Sequence, residues 1–170
     1  MRNTFTIPDD LEQLARLDAY PGVSPEESRP LREFIRRYAA NHFAEVRFNV
    51  RVGVGEGAPD ETDVAKKRAI EEGTRMRIDA LGWRGPNEAT LIEAKEQLAN
   101  DGVWQLLGYR DAYVLEHPND TVRLVLVAER ATSTAINLAQ TNGIGLYLYS
   151  FPVDTVDVTA PGTEVTGDGV

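Results

Sequence analysis

The sequence predicts an α/β fold, a central mixed β-sheet held in an α-β-α sandwich, and three observations predict it. Hydrophobic periodicity switches along the chain in the order helix, three strands, helix, strand, helix, strand, which calls for a sheet with helices on both faces. Residues 121–128, TVRLVLVA, are nearly continuously apolar, the pattern of a strand covered on both sides. The segment that follows, residues 132–140, reads as a helix able to cross over to a parallel strand. With 170 residues and 42% hydrophobic content, the chain is long enough to bury a sizeable core as one domain.

The elements follow in order. Residues 1–23 read as an N-terminal extension with a short helix over 11–20. Ser24-Pro25-Glu26-Glu27 is a capping box with proline at the first helical position, and an amphipathic helix is expected over 31–43, with Pro30 interrupting continuity. Residues 46–54 alternate as a strand. The stretch 53–73 is glycine-rich, then acidic, then basic, and reads as a surface loop with a short helix over 60–72. Its Gly-Val-Gly-Glu-Gly lacks the spacing and the Lys-Ser/Thr of a phosphate loop.

Residues 75–81 and 89–95 alternate as two half-buried strands. Residues 82–87 contain Gly85-Pro86-Asn87, which turns them into an antiparallel hairpin with Trp83 in the turn. A helix opens at Asp101-Gly102, carries Val103, Trp104, Leu106, Leu107 and Tyr113 as apolar surface, and stops at His117-Pro118. After the strand over 121–128, the helix over 132–140 ends at Asn142-Gly143. Residues 145–151 form a last strand with Tyr147 and Tyr149 on one face. Residues 24–158 thus make the main domain, and 159–170, dominated by Pro, Gly, Thr and Asp, are expected to be a disordered tail.

The hairpin carries the chemistry. Asp79 ends the first strand, while Glu93 and Lys95 share one face of the second, so pairing brings Asp79 toward Glu93. Two carboxylates at the end of an apolar strand pair repel each other and lose hydration, a cost that a hard divalent cation removes. Mg2+ is the natural ion and Mn2+ its substitute; the backbone carbonyl of Ala94 is placed to offer another oxygen. Such an ion polarises a phosphoryl oxygen and acidifies bound water, and a neighbouring lysine orients that water or offsets developing charge. Phosphodiester hydrolysis is the expected reaction. An isolated Glu-x-Lys on a strand is commonly a solvated ion pair, but here it is followed by Gln105-x-x-x-Tyr109, two polar groups on one helical face. Gln105 is read as orienting substrate or the lysine; Tyr109 suits either the site or the core.

RMRIDALGW, ATLIEAKEQ and VWQLLGY resemble the core of the PD-(D/E)xK nuclease superfamily, the restriction-endonuclease-like fold, with Ile78 where the proline of that name stands. The Gln and Tyr are similar to the RecB and lambda exonuclease pattern and to NucS-type mismatch endonucleases. SPEESRPLREFI resembles the opening helix of the nuclease domain in type I restriction subunits. The resemblance spans residues 24–151. It implies metal and catalytic roles for Asp79, Glu93 and Lys95, and a further acid from the first helix. Glu27 is the choice for that acid, with Glu26 and Glu33 as rivals; as a capping residue, Glu27 can also bond the Ser24 backbone.

Composition narrows the class. Cysteine is absent, which excludes a disulfide framework and a thiolate zinc site. No long apolar run or signal-peptide pattern appears, pointing to a soluble cytoplasmic protein with no membrane partner. A net charge of -9 argues against indiscriminate nucleic-acid binding, although basic residues are grouped at Arg29, Arg32, Arg36 and Arg37, at Lys66, Lys67 and Arg68, and at Arg75, Arg77 and Arg84. Arg130, Ser133 and Thr134 can hold a phosphate or simply cap their helix. His42 and His117 have no metal-ligand spacing and read as structural. The leading expectation is a Mg2+-dependent DNA endonuclease, with a homodimer as one way to cut two strands. The alternatives are a catalytically inactive DNA- or protein-binding module of the same fold, or a subunit of a larger restriction or repair assembly.

Overall fold

The computed structural model describes residues 2–57 and 59–149. In chain order its elements are β1 (Thr4–Thr6), α1 (Leu11–Ala15), α2 (Pro25–His42), β2 (Glu45–Val52), α3 (Val64–Thr74), β3 (Met76–Gly85), β4 (Glu88–Leu98), α4 (Asn100–Glu116), β5 (Thr121–Ala131), α5 (Ser133–Thr141) and β6 (Gly145–Leu148). The six strands form one mixed sheet whose spatial order follows the chain. β1 to β4 run antiparallel as a meander, while β4, β5 and β6 are parallel neighbours. Each parallel junction needs a crossover, and α4 and α5 supply them. Because crossovers share one hand and the strands step in one direction, both helices pack on the same face.

Two apolar layers hold the sandwich. Leu91, Leu106, Tyr113, Leu126 and Ala139 belong to the layer under α4 and α5. Leu31, Phe34, Ile35, Ile92 and Val127 belong to the layer under α2. Neighbours such as Leu91 and Ile92, or Leu126 and Val127, point to opposite faces, as the pleat demands. A fully buried Leu, Ile or Phe contributes about 1.5–3 kcal/mol of apolar transfer, so these layers dominate the favourable side of folding.

Several elements depart from the sequence expectation. Residues 1–23, read as an extension, are built into the fold: β1 joins the sheet, and Phe5, Ile7, Leu14, Tyr20 and Val23 are buried in the α2 layer. The helix expected over 11–20 is confined to Leu11–Ala15. α2 begins at Pro25, with the Glu27 N–H donating to Ser24 Oγ at 3.2 Å, and runs through Pro30 without ending. Pro30 is buried, so the residue read as a break is part of the packed surface. The hairpin turn is tighter than expected, because β3 continues through Trp83 to Gly85 and β4 starts at Glu88. Trp83 is a half-buried strand residue with the Arg47 guanidinium 4.9 Å over its ring, not a turn residue. Trp104 lies on the outer side of α4 and is exposed rather than in the core. Residues 150–170, including the end of the last expected strand and the tail, lie outside the described residues.

One local feature positions everything below. In β2, Val46 and Phe48 pack in the α2 layer, but Val50 and Val52 pack in the opposite one. The reversal occurs at Asn49, whose φ of 54° is left-handed, a conformation asparagine tolerates better than most side chains. β3 reverses at the same level: Ile78 faces α4 and Ala80 faces α2, with Asp79 between them. The register places Phe48 opposite Ala80 and Val50 opposite Ile78, so Asn49 and Asp79 share the twist.

Candidate functional site

β3 and β4 are zipped from the turn down to the Ala80–Ile92 rung. Below it the strands part, each still paired on its outer side: β3 to β2 as far as Val52–Met76, and β4 to β5 as far as Leu98–Ala131. A wedge opens in the middle of the sheet. Its apex is closed by a side chain, since the Ala94 N–H donates to Asp79 Oδ2 at 2.9 Å and replaces the missing ladder bond. The N–H and C=O of one strand residue point the same way, so the Ala94 carbonyl also faces the wedge.

Glu93 is 1% exposed. Its Oε1 pairs with Lys95 Nζ at 2.7 Å, and its buried Oε2 has no hydrogen-bond donor. Lys95 Nζ also donates to Glu27 Oε1 at 3.1 Å, which ties the first turn of α2 to β4. Burial pushes the Glu93 carboxyl up to about 8, and the neighbouring Asp79 charge adds to the rise while Lys95 opposes it. Asp79 is also raised by burial, against the Ala94 N–H and the Lys95 charge, which lower it. The two acids therefore titrate as one unit. Burial alone would lower the Lys95 ammonium, but the Glu93 and Glu27 charges outweigh it and hold the lysine above its ordinary value.

α4 roofs this wedge. It packs closely at Gly102, where a Cβ would lie 2.8 Å from Leu98 Cδ1 and at ordinary contact distance, 3.5 Å, from Lys95 Cγ, so the missing side chain leaves room for Leu98 beside the lysine stem. Gln105 Nε2 donates to the Tyr109 hydroxyl one helical turn away. Tyr109 is buried, and its hydroxyl is raised by burial and then by the Glu93 charge, which puts it within electrostatic reach of the acids.

Asp79, Glu93, Lys95 and the Ala94 backbone are thus brought together, with Tyr109 beside them and Gln105 holding Tyr109. Comparison with protein-family models, curated proteins and solved structures gives no match to this chain. The geometry has to speak for itself.

Of the first-helix acids, Glu27 alone reaches this cluster, and it does so through Lys95. Its carboxylate contacts the ammonium, and no group of three or more His, Cys, Asp or Glu among the described residues is gathered closely enough to hold a metal. Glu26 is exposed, and Glu33 pairs with Arg36 and Arg37 on the same helix. Other candidates lie elsewhere. Arg130 pairs with Glu96 at 3.1 Å, and Thr132 Oγ1 caps α5 by accepting from the Ala135 N–H while sharing a hydrogen bond with Thr134 Oγ1. His42 and His117 lie against Tyr38 and Tyr113.

Sequence reasoning missed Asn49 and the significance of Gly102. Val46, Phe48, Val50 and Val52 keep perfect alternation across the twist, so periodicity conceals it. The only available signal was a residue with low strand propensity in mid-strand. Gly102 was read as punctuation at a helix start, although it lies inside α4.

Proposed function

We propose that the chain is a divalent-cation-dependent deoxyribonuclease, an endonuclease with a restriction-endonuclease-like fold that acts on DNA inside the cell. The observation that carries this reading is the pair of carboxylates at the wedge. Asp79 and Glu93 offer only acceptor oxygens when ionised, and burying them against each other is stable only with a proton or a cation between them. Support for the finer fold comes from the topology: an antiparallel meander followed by two parallel crossovers, with the acids where the meander's last pair splits.

The donor set suits Mg2+ or Mn2+. Asp79 Oδ2 is committed to the Ala94 N–H, which leaves Oδ1, while Glu93 Oε2 has no donor and the Ala94 carbonyl faces the same space. All are hard oxygens. When bound there, the ion supplies Lewis-acid polarisation and a more acidic water.

The remaining roles belong to this chain's own groups. Lys95, held above its ordinary pKa, stays an ammonium at neutral pH. It therefore serves as a fixed positive charge that orients the attacking water and offsets negative charge on the phosphoryl group, not as a proton acceptor. Glu27 is the second carboxylate that holds Lys95, at 3.1 Å. Gln105 fixes Tyr109, and the pair lines the approach for substrate.

A second reading, a nuclease-fold binding module without turnover, is favoured by one observation: Lys95 already pairs with both Glu93 and Glu27, so the acids are partly neutralised without metal. Incubating supercoiled plasmid with Mg2+ or Mn2+ separates the two. Wild type is expected to nick it, while Asp79→Asn and Lys95→Gln lose roughly 1000-fold in rate, about 4 kcal/mol of barrier. Equal cutting by all three proteins would discard the nuclease.

A further inference from the structure

We infer that α3 is a nucleic-acid arm: a rigidly rooted helix whose Lys66, Lys67 and Arg68 hold the phosphate backbone of DNA beside the cleavage site. The inference rests on the nuclease reading above and extends it to substrate grip. α3 buries no residue, and all three basic side chains are exposed. Helix stability does not account for its charge order. Cations near a helix start and acids near its end run against the backbone dipole, yet α3 has Lys66, Lys67 and Arg68 early and Glu71 and Glu72 late.

The acidic end is where the arm is fastened. Glu72 pairs with Arg51 of β2 at 3.3 Å and with Arg75 at 3.8 Å. Arg75 in turn donates to the Gly53 carbonyl at 2.7 Å and to Glu116 of α4 at 2.7 Å. The Glu56 N–H donates to Thr74 Oγ1 at 2.7 Å, and Gly55 passes so close to the Glu71 carbonyl that a Cβ would lie 1.7 Å from it. Arg51 and Arg75 thus fasten the arm through Glu72. The arm's own cations make no side-chain hydrogen bond or ion pair among the described residues.

Position completes the argument. The arm leaves β2 after Val52 and returns at Met76, the last rung of that pair, so its root lies three residues from Asp79. At strand rise this is roughly 10 Å. The basic turn lies about seven residues further along α3, about 10 Å at helix rise. The cations thus stand roughly 20 Å from Asp79 along the chain, a span of several phosphates on a duplex. Three consecutive helical residues fan over about 200°, so a strand passing along their side of the helix meets two of them. A chain of net charge -9 repels DNA overall, and a local cationic arm at the site end is how such a chain gains a phosphate contact there.

Anisotropy with a labelled 30-base-pair duplex in Ca2+, across a salt series, tests this. The triple variant Lys66→Ala, Lys67→Ala, Arg68→Ala is compared with wild type and with Arg16→Ala, Arg36→Ala, Arg110→Ala, which removes the same formal charge elsewhere. The arm variant is expected to bind at least tenfold more weakly and to lose about 2 from the slope of log affinity against log salt, at about 0.9 per phosphate contact. The control variant keeps its slope. Equal slopes for the two variants, or no duplex binding by wild type at low salt, would overturn the arm. Cleavage in Mg2+, scored in parallel, keeps the two claims apart. A cutting enzyme with an arm-independent slope refutes the arm alone, while arm-dependent binding with no cutting refutes the nuclease alone.

Discussion

The β3–β4 pair is two structures joined end to end. From Gly85–Glu88 to Ala80–Ile92 the strands are zipped by backbone bonds, and Leu81, Leu91 and Ile92 fill the layers above and below. From Asp79 and Glu93 onward the same strands diverge, and the space is held by one side-chain bond, a lysine and two acids. Apart from a register shift between Trp83 and Gly85 beside the turn, the upper half is regular sheet. The lower half breaks several local rules at once: a polar residue at a twist, an acid at 1% exposure and a buried oxygen without a donor. Such concentrated violations are expected where a protein gives up stability for chemistry. Mutations in the two halves should therefore have opposite signs.

The largest effect on stability belongs to the zipped half. Leu91→Ala removes a fully buried side chain and is expected to cost about 2–5 kcal/mol, read as a lower denaturant midpoint with unchanged slope. In the open half, Glu93→Gln keeps the shape and an acceptor for Lys95, which retains Glu27 as its charged partner, and it removes a carboxyl that burial raises to about 8. The metal-free protein should gain on the order of 1–4 kcal/mol at pH 8, because the unfolded wild type has released its proton and the variant has none to release. A loss there would mean that the wedge is a structural ion pair and not a prepared site.

The same substitution sharpens the comparison through pH. In the folded chain the Glu93 carboxyl is raised from its ordinary 4.5 to about 8, so between these values it holds a proton that the unfolded chain has released. Its contribution to stability is fully present below pH 4.5 and is lost as pH climbs toward 8. Thermal melts of metal-free wild type should fall across that window, and Glu93→Gln should flatten the fall. Leu91→Ala should shift the curve down and leave its shape unchanged.

What the sequence disclosed follows the same division. The zipped half, the buried strand β5 and the crossover helices were legible because alternation, apolar runs and turn residues each report a local preference that the fold respects. Asp79, Glu93 and Lys95 were legible because charged groups on apolar strands violate that preference. The place of residues 1–23 was not, since a three-residue edge strand carries almost no periodic signal. The twist at Asn49 was hidden because the side chains on either side of it keep a period of two while changing faces. The partner of Glu27 depended on how α2 lies across β4, a tertiary fact that no spacing within the helix encodes. The fastening of α3 was hidden for the same reason: Glu72 and Arg75 are neighbours, but Arg51 and Glu116, which they meet, lie far from them in the chain.

If the wedge holds a proton where the proposed cation would sit, calorimetric titration of Mn2+ into the metal-free protein at pH 7 should displace that proton. Repeating the titration in buffers of different ionisation enthalpy counts the protons set free. The account predicts one saturable site per chain, with a net release of protons that disappears together with the binding in Asp79→Asn and Glu93→Gln. No saturable heat at millimolar Mn2+, or binding that both variants retain, would contradict it.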